Sequence, residues 1–204
     1  LQSHLNLVCR LLLEKKNEKL RFRRQLQTIG LPCPAFVEVG DDDVGAALAL
    51  GFPLVVKARR LNASRGVIRV DDAAQLRRTL GQVRRIQARA QRDAGPGLLL
   101  ERFIPGAEVA LDGVLVHGVL QVLAVFDKPD PLDGPYFEET LFVTPSRLPA
   151  ATQAELAAAV QRVCMASGVT EGMIHAEARI NDAGVWLLEI APRGIGGLCG
   201  RVLD

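Results

Sequence analysis

The 204-residue chain predicts an α+β fold, with antiparallel sheets carrying separate helices. Two observations carry that expectation. Short apolar runs bounded by Gly, Pro and Asp recur along the chain, interleaved with stretches of helical periodicity. Several of those runs are joined by loops too short for a helical crossover, which points to hairpins and away from a doubly wound parallel sheet. The composition, 49% hydrophobic and 24% charged, is that of an ordinary globular chain able to bury a core.

The elements follow in order. Residues 5–29 predict a helix, because Leu5, Val8, Leu11, Leu12, Leu20, Leu26 and Ile29 recur at helical spacing among Lys and Arg. Gly30 and Pro32 end it, and GLPCP (30–34) turns the chain into an extended segment. Asp41, Asp42 and Asp43 are expected to cap a short helix through Leu50, closed by Gly51. Pro53 to Val56 is a short apolar strand, with Lys57 directly after it. A loop over 59–66 leads into a strand at 67–70. Asp71 and Asp72 are expected to cap a helix to Arg92 with Ala74, Leu76, Leu80, Val83 and Ile86 inward. Residues 93–97 break it, and LLLERFI (98–104) is the next strand. Residues 108–111 and 114–126 predict a hairpin turning at Asp112-Gly113. A loop over 127–135 holds three prolines, a helix covers 149–167, and a last hairpin joins 173–180 to 185–190 before a Gly-rich tail.

Composition narrows the function classes. No apolar stretch is long enough for a transmembrane helix, and no N-terminal signal pattern is present. Cys9, Cys33, Cys164 and Cys199 lie far apart with no CxxC pair, which predicts a reduced, cytoplasmic protein without a zinc site. The net charge of +2 argues for no partner by itself. Residue 1 is Leu rather than Met, so the chain is expected to be a fragment or a processed product. Only five of the 25 basic residues are lysines: Lys15, Lys16, Lys19, Lys57 and Lys128.

The last hairpin is the most informative local feature. Ile174, Ala176, Ala178 and Ile180 alternate with His175, Glu177 and Arg179, so the two sets face opposite ways. On the returning strand Trp186, Leu188 and Ile190 are expected on the apolar face and Glu189 on the polar one. If Asn181 pairs with Val185 across a three-residue loop, Glu177 stands directly opposite Glu189. Like charges in that position repel unless a cation lies between them, and Mg²⁺ suits two carboxylates. The alternative is a register shifted by one, with both glutamates in solvent. Arg193 lies four residues past Glu189 and could bring a fixed positive charge to the same cluster. His175 either touches substrate or a carboxylate, or makes a structural hydrogen bond.

These segments together, in this order, resemble the ATP-grasp superfamily, in its carboxylate–amine ligase branch of L-amino-acid ligase and biotin-carboxylase-like domains. Glu18-Lys19 ahead of GLPCP is similar to the family's helix before the lid. GFPLVVKA resembles its buried strand ending in a lysine. The loop Asn62 to Val67 resembles the flexible lid loop, and GxxxxGK[ST] does not occur. LLLERFIPGAEVAL carries Glu101, Ile104, Gly106 and Glu108 at the family's hinge spacing. GMIHAEARINDAGVWLLEIAPRG matches its metal-binding strands at Glu177, Glu189 and Arg193, with Ala191 where the pattern has Asn.

The resemblance implies a fold of two α+β subdomains gripping ATP between antiparallel sheets. It implies a helical linker over 1–33, a lid subdomain over 34–104 and a catalytic subdomain over 105–204. The family's N-terminal domain is then expected to be absent and the C-terminus truncated. It implies ATP contacts from Lys19, Lys57, Ser64, Gly66, Glu101, Ile104, Glu108 and Lys128, with the hinge backbone on adenine and Glu108 on the ribose hydroxyls. Mg²⁺ or Mn²⁺ would lie on Glu177 and Glu189, and Arg193 would serve the transferring phosphoryl group. Glu138 and His175 are substrate candidates. The implied reaction joins a small-molecule carboxylate to an amine through an acyl phosphate, with no nucleic acid or membrane partner; a homodimer is compatible with it.

Two other readings stand beside this one. A degenerate ATP-grasp domain would bind nucleotide without ligating anything, in keeping with Ala191. A nucleic-acid binder would use residues 57–92, where eleven Lys and Arg face two Asp, a net of +9. No aromatic residue lies between 53 and 102, so that segment offers no stacking platform.

Overall fold

Two four-stranded antiparallel sheets, each with its own core, face each other across a cleft. A computed structural model describes residues 19–40, 44–90, 97–196 and Cys199. The described residues begin with helix α1 (Lys19–Thr28). The part of the expected first helix before Lys19, and the proposed caps Asp41 to Asp43, lie outside the described residues.

The first sheet comprises β1 (Phe36–Val39), β2 (Leu54–Ala58), β3 (Val67–Val70) and β4 (Leu98–Arg102), in the order β1-β4-β2-β3. Helices α2 (Val44–Leu50) and α3 (Ala73–Arg89) pack on it. Strand β2 runs on through Lys57 to Ala58 and does not stop at Val56. Asp72 alone caps α3, accepting from the Gln75 amide at 2.8 Å, while Asp71 pairs with Arg69. Leu76, Leu80 and Val83 of α3 meet Leu54, Val56 and Leu100 in the first core. Ala74, expected inward, is exposed.

The second sheet comprises β5 (Ala107–Val116), β6 (Val119–Lys128), β7 (Gly172–Asn181) and β8 (Gly184–Ala191), in the order β6-β5-β7-β8. Helix α4 (Ala150–Ala166) covers one face, and its Leu156, Val160 and Val163 pack with Val109, Leu111, Ile174 and Leu187. Leu26 of α1 joins this second core. Among the described residues no helix is long and apolar enough to cross a membrane.

Two corrections concern hairpins. Asp112-Gly113 is not a turn: β5 passes straight through it, and the chain reverses at His117-Gly118, both at positive φ. Asp112-Gly113 is a bulge, where the register shifts against β6. Asp-Gly looks like a turn in sequence, but here Asp112 is buried on a histidine, and Gly113 admits the Gln121 carbonyl where a Cβ would come within 2.8 Å.

The last hairpin differs in the same way. Asn181 pairs with Gly184, so the turn has two residues and not three. A bulge between Glu177 and Ala178 then shifts the register by one and brings Glu177 opposite Glu189. The bulge also reverses the alternation of β8. Val185, Leu187 and Ile190 enter the core, and Leu188 and Glu189 both line the cleft, instead of Trp186 and Leu188 facing inward.

Between the sheets the chain passes Phe103 to Gly106 without regular structure. Gly106 sits at φ +125, and a Cβ there would lie 2.2 Å from the Ile180 carbonyl oxygen. Backbone cannot yield as a side-chain tip can. Gly106→Ala is therefore expected to cost at least about 2 kcal/mol of unfolding free energy, measured by urea titration. A stability equal to that of the unsubstituted protein would show that the β4–β5 connection yields to a Cβ at this position.

Candidate active site

The cleft between the sheets has a volume of about 1010 Å³. Loop 62–66 lines it from the first sheet, the 101–104 connection from the side, and Glu177 and Glu189 from the second sheet. A strap between β6 and α4 supplies Tyr136, Phe137, Glu138 and Glu139. The strap is held at both sides. Pro135 carbonyl accepts from the Arg69 amide at 2.9 Å on β3, and Asp127 and Val143 exchange backbone bonds at 2.8 and 2.9 Å.

At the base of the cleft lies a buried ion triad. Helix α1 presents Leu20, Arg23 and Leu26 on one stripe, all buried. Arg23 Nε and Nη2 donate to the two Glu101 carboxylate oxygens at 3.0 Å each, and its Nη1 donates to the Leu187 carbonyl at 3.0 Å. Lys57 Nζ donates to Glu101 Oε2 at 2.9 Å. One guanidinium thus spans β4 of the first sheet and β8 of the second. Burial by itself raises the Glu101 pKa, but the charges of Arg23 and Lys57 hold it down at about 2. Nearby, Lys19 Nζ donates to the Leu61 carbonyl at 2.5 Å and its amide to the Arg59 carbonyl at 3.1 Å, pinning the start of the loop. In that loop Ala63, Ser64 and Gly66 all have positive φ, at 54, 52 and 67. Two backbone turns shape it: the Arg65 amide donates to the Asn62 carbonyl at 3.3 Å and the Val67 amide to the Ser64 carbonyl at 3.2 Å.

The opposite end is acidic around one ammonium. Lys128 ends β6, inside the strand and not in the loop beyond it. Its Nζ lies 3.0 Å from Glu108, 3.3 Å from Glu177 and in contact with Glu139. Glu108, Glu139 and Glu177 each bring an oxygen within 4.8 Å of the others. Burial and the Glu177 charge push the Glu139 pKa up. Burial opposes ionisation of Glu177, but the His175 hydrogen bond and the Lys128 charge lower its pKa to about 2.

His175 Nδ1 lies 2.6 Å from Asp112 Oδ1, and its Nε2 is 3.5 Å from Glu177. Burial disfavours the imidazolium, yet bonds to Asp112 and Glu177 raise its pKa to about 9. Asp112 Oδ2 accepts from the Ile195 amide at 2.7 Å, so the same carboxylate fixes the tail that carries Arg193. Arg193 is exposed and lines the cleft.

Lys19, Lys57, Ser64, Gly66, Glu101, Ile104, Glu108, Glu138, His175, Glu177, Glu189 and Arg193 thus border one cavity. Lys128 touches three of its carboxylates. The Glu101 side chain is turned into the triad with Arg23 and Lys57. Sequence reasoning missed Arg23, Asp112 and the bonds of Arg179. Arg23 carried a signal, an arginine on the apolar stripe of its helix. Asp112 was disguised as a turn residue.

A family model described as an ATP-grasp domain matches residues 50–202. The chain belongs to the ATP-grasp family. Carnosine synthase 1 of Gallus gallus is 36% identical over 154 residues, covering 72% of this chain and 16% of that protein. D-alanine–D-alanine ligase of Stutzerimonas stutzeri (strain A1501) is 30% identical over 182 residues, covering 85% of this chain and 54% of that protein. The crystal structure of an L-amino acid ligase from Bacillus licheniformis superposes with a TM-score of 0.74 at 29% identity, covering 91% of this chain and 42% of that one. The chain therefore spans about half or less of these proteins.

Glu101 generates a pH prediction. Its carboxyl has a pKa of about 2 in the folded chain against an ordinary 4.5. The stabilisation is present above pH 4.5 and is lost as pH falls through 4.5 toward 2. It amounts to about 3 kcal/mol. Urea titrations at pH 5, 4 and 3 should show that loss, and Glu101→Gln, less stable at pH 5, should give a flatter slope. Parallel slopes for the two proteins would remove Glu101 as the titrating group.

Proposed function

We propose that this chain is the nucleotide-binding and catalytic portion of an ATP- and Mg²⁺-dependent ligase that activates a carboxylate as an acyl phosphate and joins it to an amine. The observation that carries the proposal is the pairing of Glu177 with Glu189 across β7 and β8, in a cleft whose other walls carry Lys57, Lys19 and the loop over 62–66. Similarity to carnosine synthase, D-alanine–D-alanine ligase and L-amino acid ligase supports amino acids as the substrate class.

The donor set fits a hard divalent cation. Glu177 and Glu189 are carboxylates on adjacent strands, and Glu177 is held ionised. Ala191 adds no oxygen. Glu177 and Glu189 would hold Mg²⁺, which when bound offsets charge on the phosphoryl oxygens. The remaining roles belong to the chain. The 101–104 backbone would border the adenine, and Glu108 would accept from the ribose hydroxyls. Lys19, Lys57 and Lys128 would face phosphates as ammonium donors, with burial lowering the pKa of Lys19 and Lys57, and the Ser64–Gly66 loop would border the same phosphates.

In the reaction a substrate carboxylate oxygen attacks the γ-phosphorus, and the bond to the ADP oxygen breaks. The amine nitrogen then attacks the acyl carbon, phosphate leaves, and the nitrogen gives up its proton. Arg193, on the cleft, would hold the transferring phosphoryl group and the acyl phosphate as a permanent positive charge. His175, bonded to Asp112, and Glu138, both on the cleft, would serve the substrate. The free cysteines Cys33, Cys164 and Cys199 accord with a cytoplasmic setting.

A second reading, nucleotide binding without ligation, is favoured by Ala191 alone. Phosphate release by the full-length protein with ATP, Mg²⁺ and a pool of amino acids separates the two. Amino-acid-dependent release supports the ligase, and none under any amino acid overturns it. Glu189→Ala should abolish the Mg²⁺ dependence of ATP binding. Arg193→Ala should lower kcat by roughly 100-fold or more while changing ATP affinity less than about threefold. An unchanged kcat would remove Arg193 from the chemistry.

A further inference from the structure

Arg179 is the most heavily engaged side chain in the cleft without a part in the mechanism above. It is 3% exposed, on the cleft-facing side of β7, two residues past Glu177. Its Nε donates to Glu108 Oε2 at 3.0 Å. Its Nη1 donates to the Ile104 carbonyl at 2.7 Å, and its Nη2 to the Leu132 carbonyl. The guanidinium lies 4.8 Å from the Phe103 ring centroid and 5.7 Å from that of Phe137. Those two rings stack with centroids 6.4 Å apart.

The partners lie on three different walls. Glu108 begins β5, Ile104 belongs to the connection between the sheets, and Leu132 is on the strap. One planar fork hydrogen-bonds all three, a shape that a guanidinium presents and an ammonium cannot. Glu108 is held from both ends: Lys128 takes Oε1 and Arg179 takes Oε2. A carboxylate clamped in this way has few rotamers left, yet each oxygen keeps a second lone pair to accept from a ligand hydroxyl.

We infer that Arg179 is a positioning residue for nucleotide recognition, aligning the Glu108 carboxylate with a ribose diol while fixing the Ile104 and Leu132 carbonyls on the base side. This rests on the nucleotide reading of Glu108 given above. Arg179 touches no substrate itself. Its loss would release Glu108 to pair with Lys128 alone, and the diol would meet a misaligned acceptor.

The test compares ATP with 2′,3′-dideoxy-ATP, which differs only in the two ribose hydroxyls, by calorimetry on the full-length protein with Mg²⁺. The unsubstituted protein should prefer ATP by roughly tenfold or more, the effect of bonds to a charged acceptor. Glu108→Gln should bring the ratio close to one. Arg179→Met should do the same, because ATP loses more affinity than the dideoxy nucleotide. The double variant should lose no further ratio, since both changes act through one carboxylate. Arg179→Lys, which keeps the charge but not the fork, should lower the ratio about threefold with its Tm within a few degrees, and it decides the matter if Arg179→Met does not fold.

A purely structural role predicts something different: both nucleotides weakened by the same factor, the ratio intact. That result, in Arg179→Met or Arg179→Lys, overturns the inference while the ribose reading of Glu108 survives. A ratio unchanged in Glu108→Gln overturns that reading and the inference with it.

Discussion

The two sheets of this protein have separate hydrophobic cores, and the joint between them is electrostatic. Arg23, Glu101 and Lys57 meet in a buried triad, and Arg23 also reaches the Leu187 carbonyl of the other sheet. The cost of taking these charges out of water is met only while every partner is present, because an unpaired charge left in the interior is strongly destabilising. The geometry of the cleft depends on that joint. It seats α1 between the sheets, sets β4 against β8, and leaves Lys57 on the cleft wall. Apolar packing alone would hold the sheets together with far less angular definition, since it is not directional.

The cleft walls show a division of charge. One side offers the Lys19 and Lys57 ammonium groups and the 62–66 loop; the other gathers Glu108, Glu139, Glu177 and Glu189, with Lys128 among the first three. Such a separation suits a polyphosphate that arrives with its own cation. Lys128 also shows how the chain tolerates an acidic cluster without one. Burial works against its charge, but Glu177 and Glu108 raise its pKa well above the ordinary lysine value. Asp112 performs a comparable service at the far end, orienting His175 with one oxygen and tethering the Arg193 tail with the other.

Much of the architecture was legible because apolar runs and breakers sit where the elements begin and end. The strands β2, β3, β4, β7 and β8 and the helices α3 and α4 lie within a few residues of their expected bounds. The errors cluster at bulges. Asp112-Gly113 has the composition of a turn, and nothing in its neighbours distinguishes a turn from a bulge. The opposition of Glu177 and Glu189 was reached through a three-residue loop that does not exist. The two-residue turn and the bulge together displace β8 by the same amount. The side of β8 facing the core was misread for the same reason, since alternation continues only until an extra residue interrupts it.

The residue chemistry of the site was written in the sequence by itself: three of the five lysines, two glutamates on neighbouring strands, an arginine four residues beyond, and a hinge with glutamates seven apart. Residue type and local spacing suffice for that, because each motif lies within one or two adjacent elements. Only the tertiary structure decided which of these groups are engaged. Arg23 and Glu101 are 78 residues apart, His175 and Asp112 are 63, and Arg179 and Glu108 are 71. No local pattern encodes such pairings. They arise where distant segments become neighbours: Asp112 with His175 and Glu108 with Arg179 across adjacent strands β5 and β7, and Arg23 with Glu101 where α1 meets β4, so that buried charges find partners.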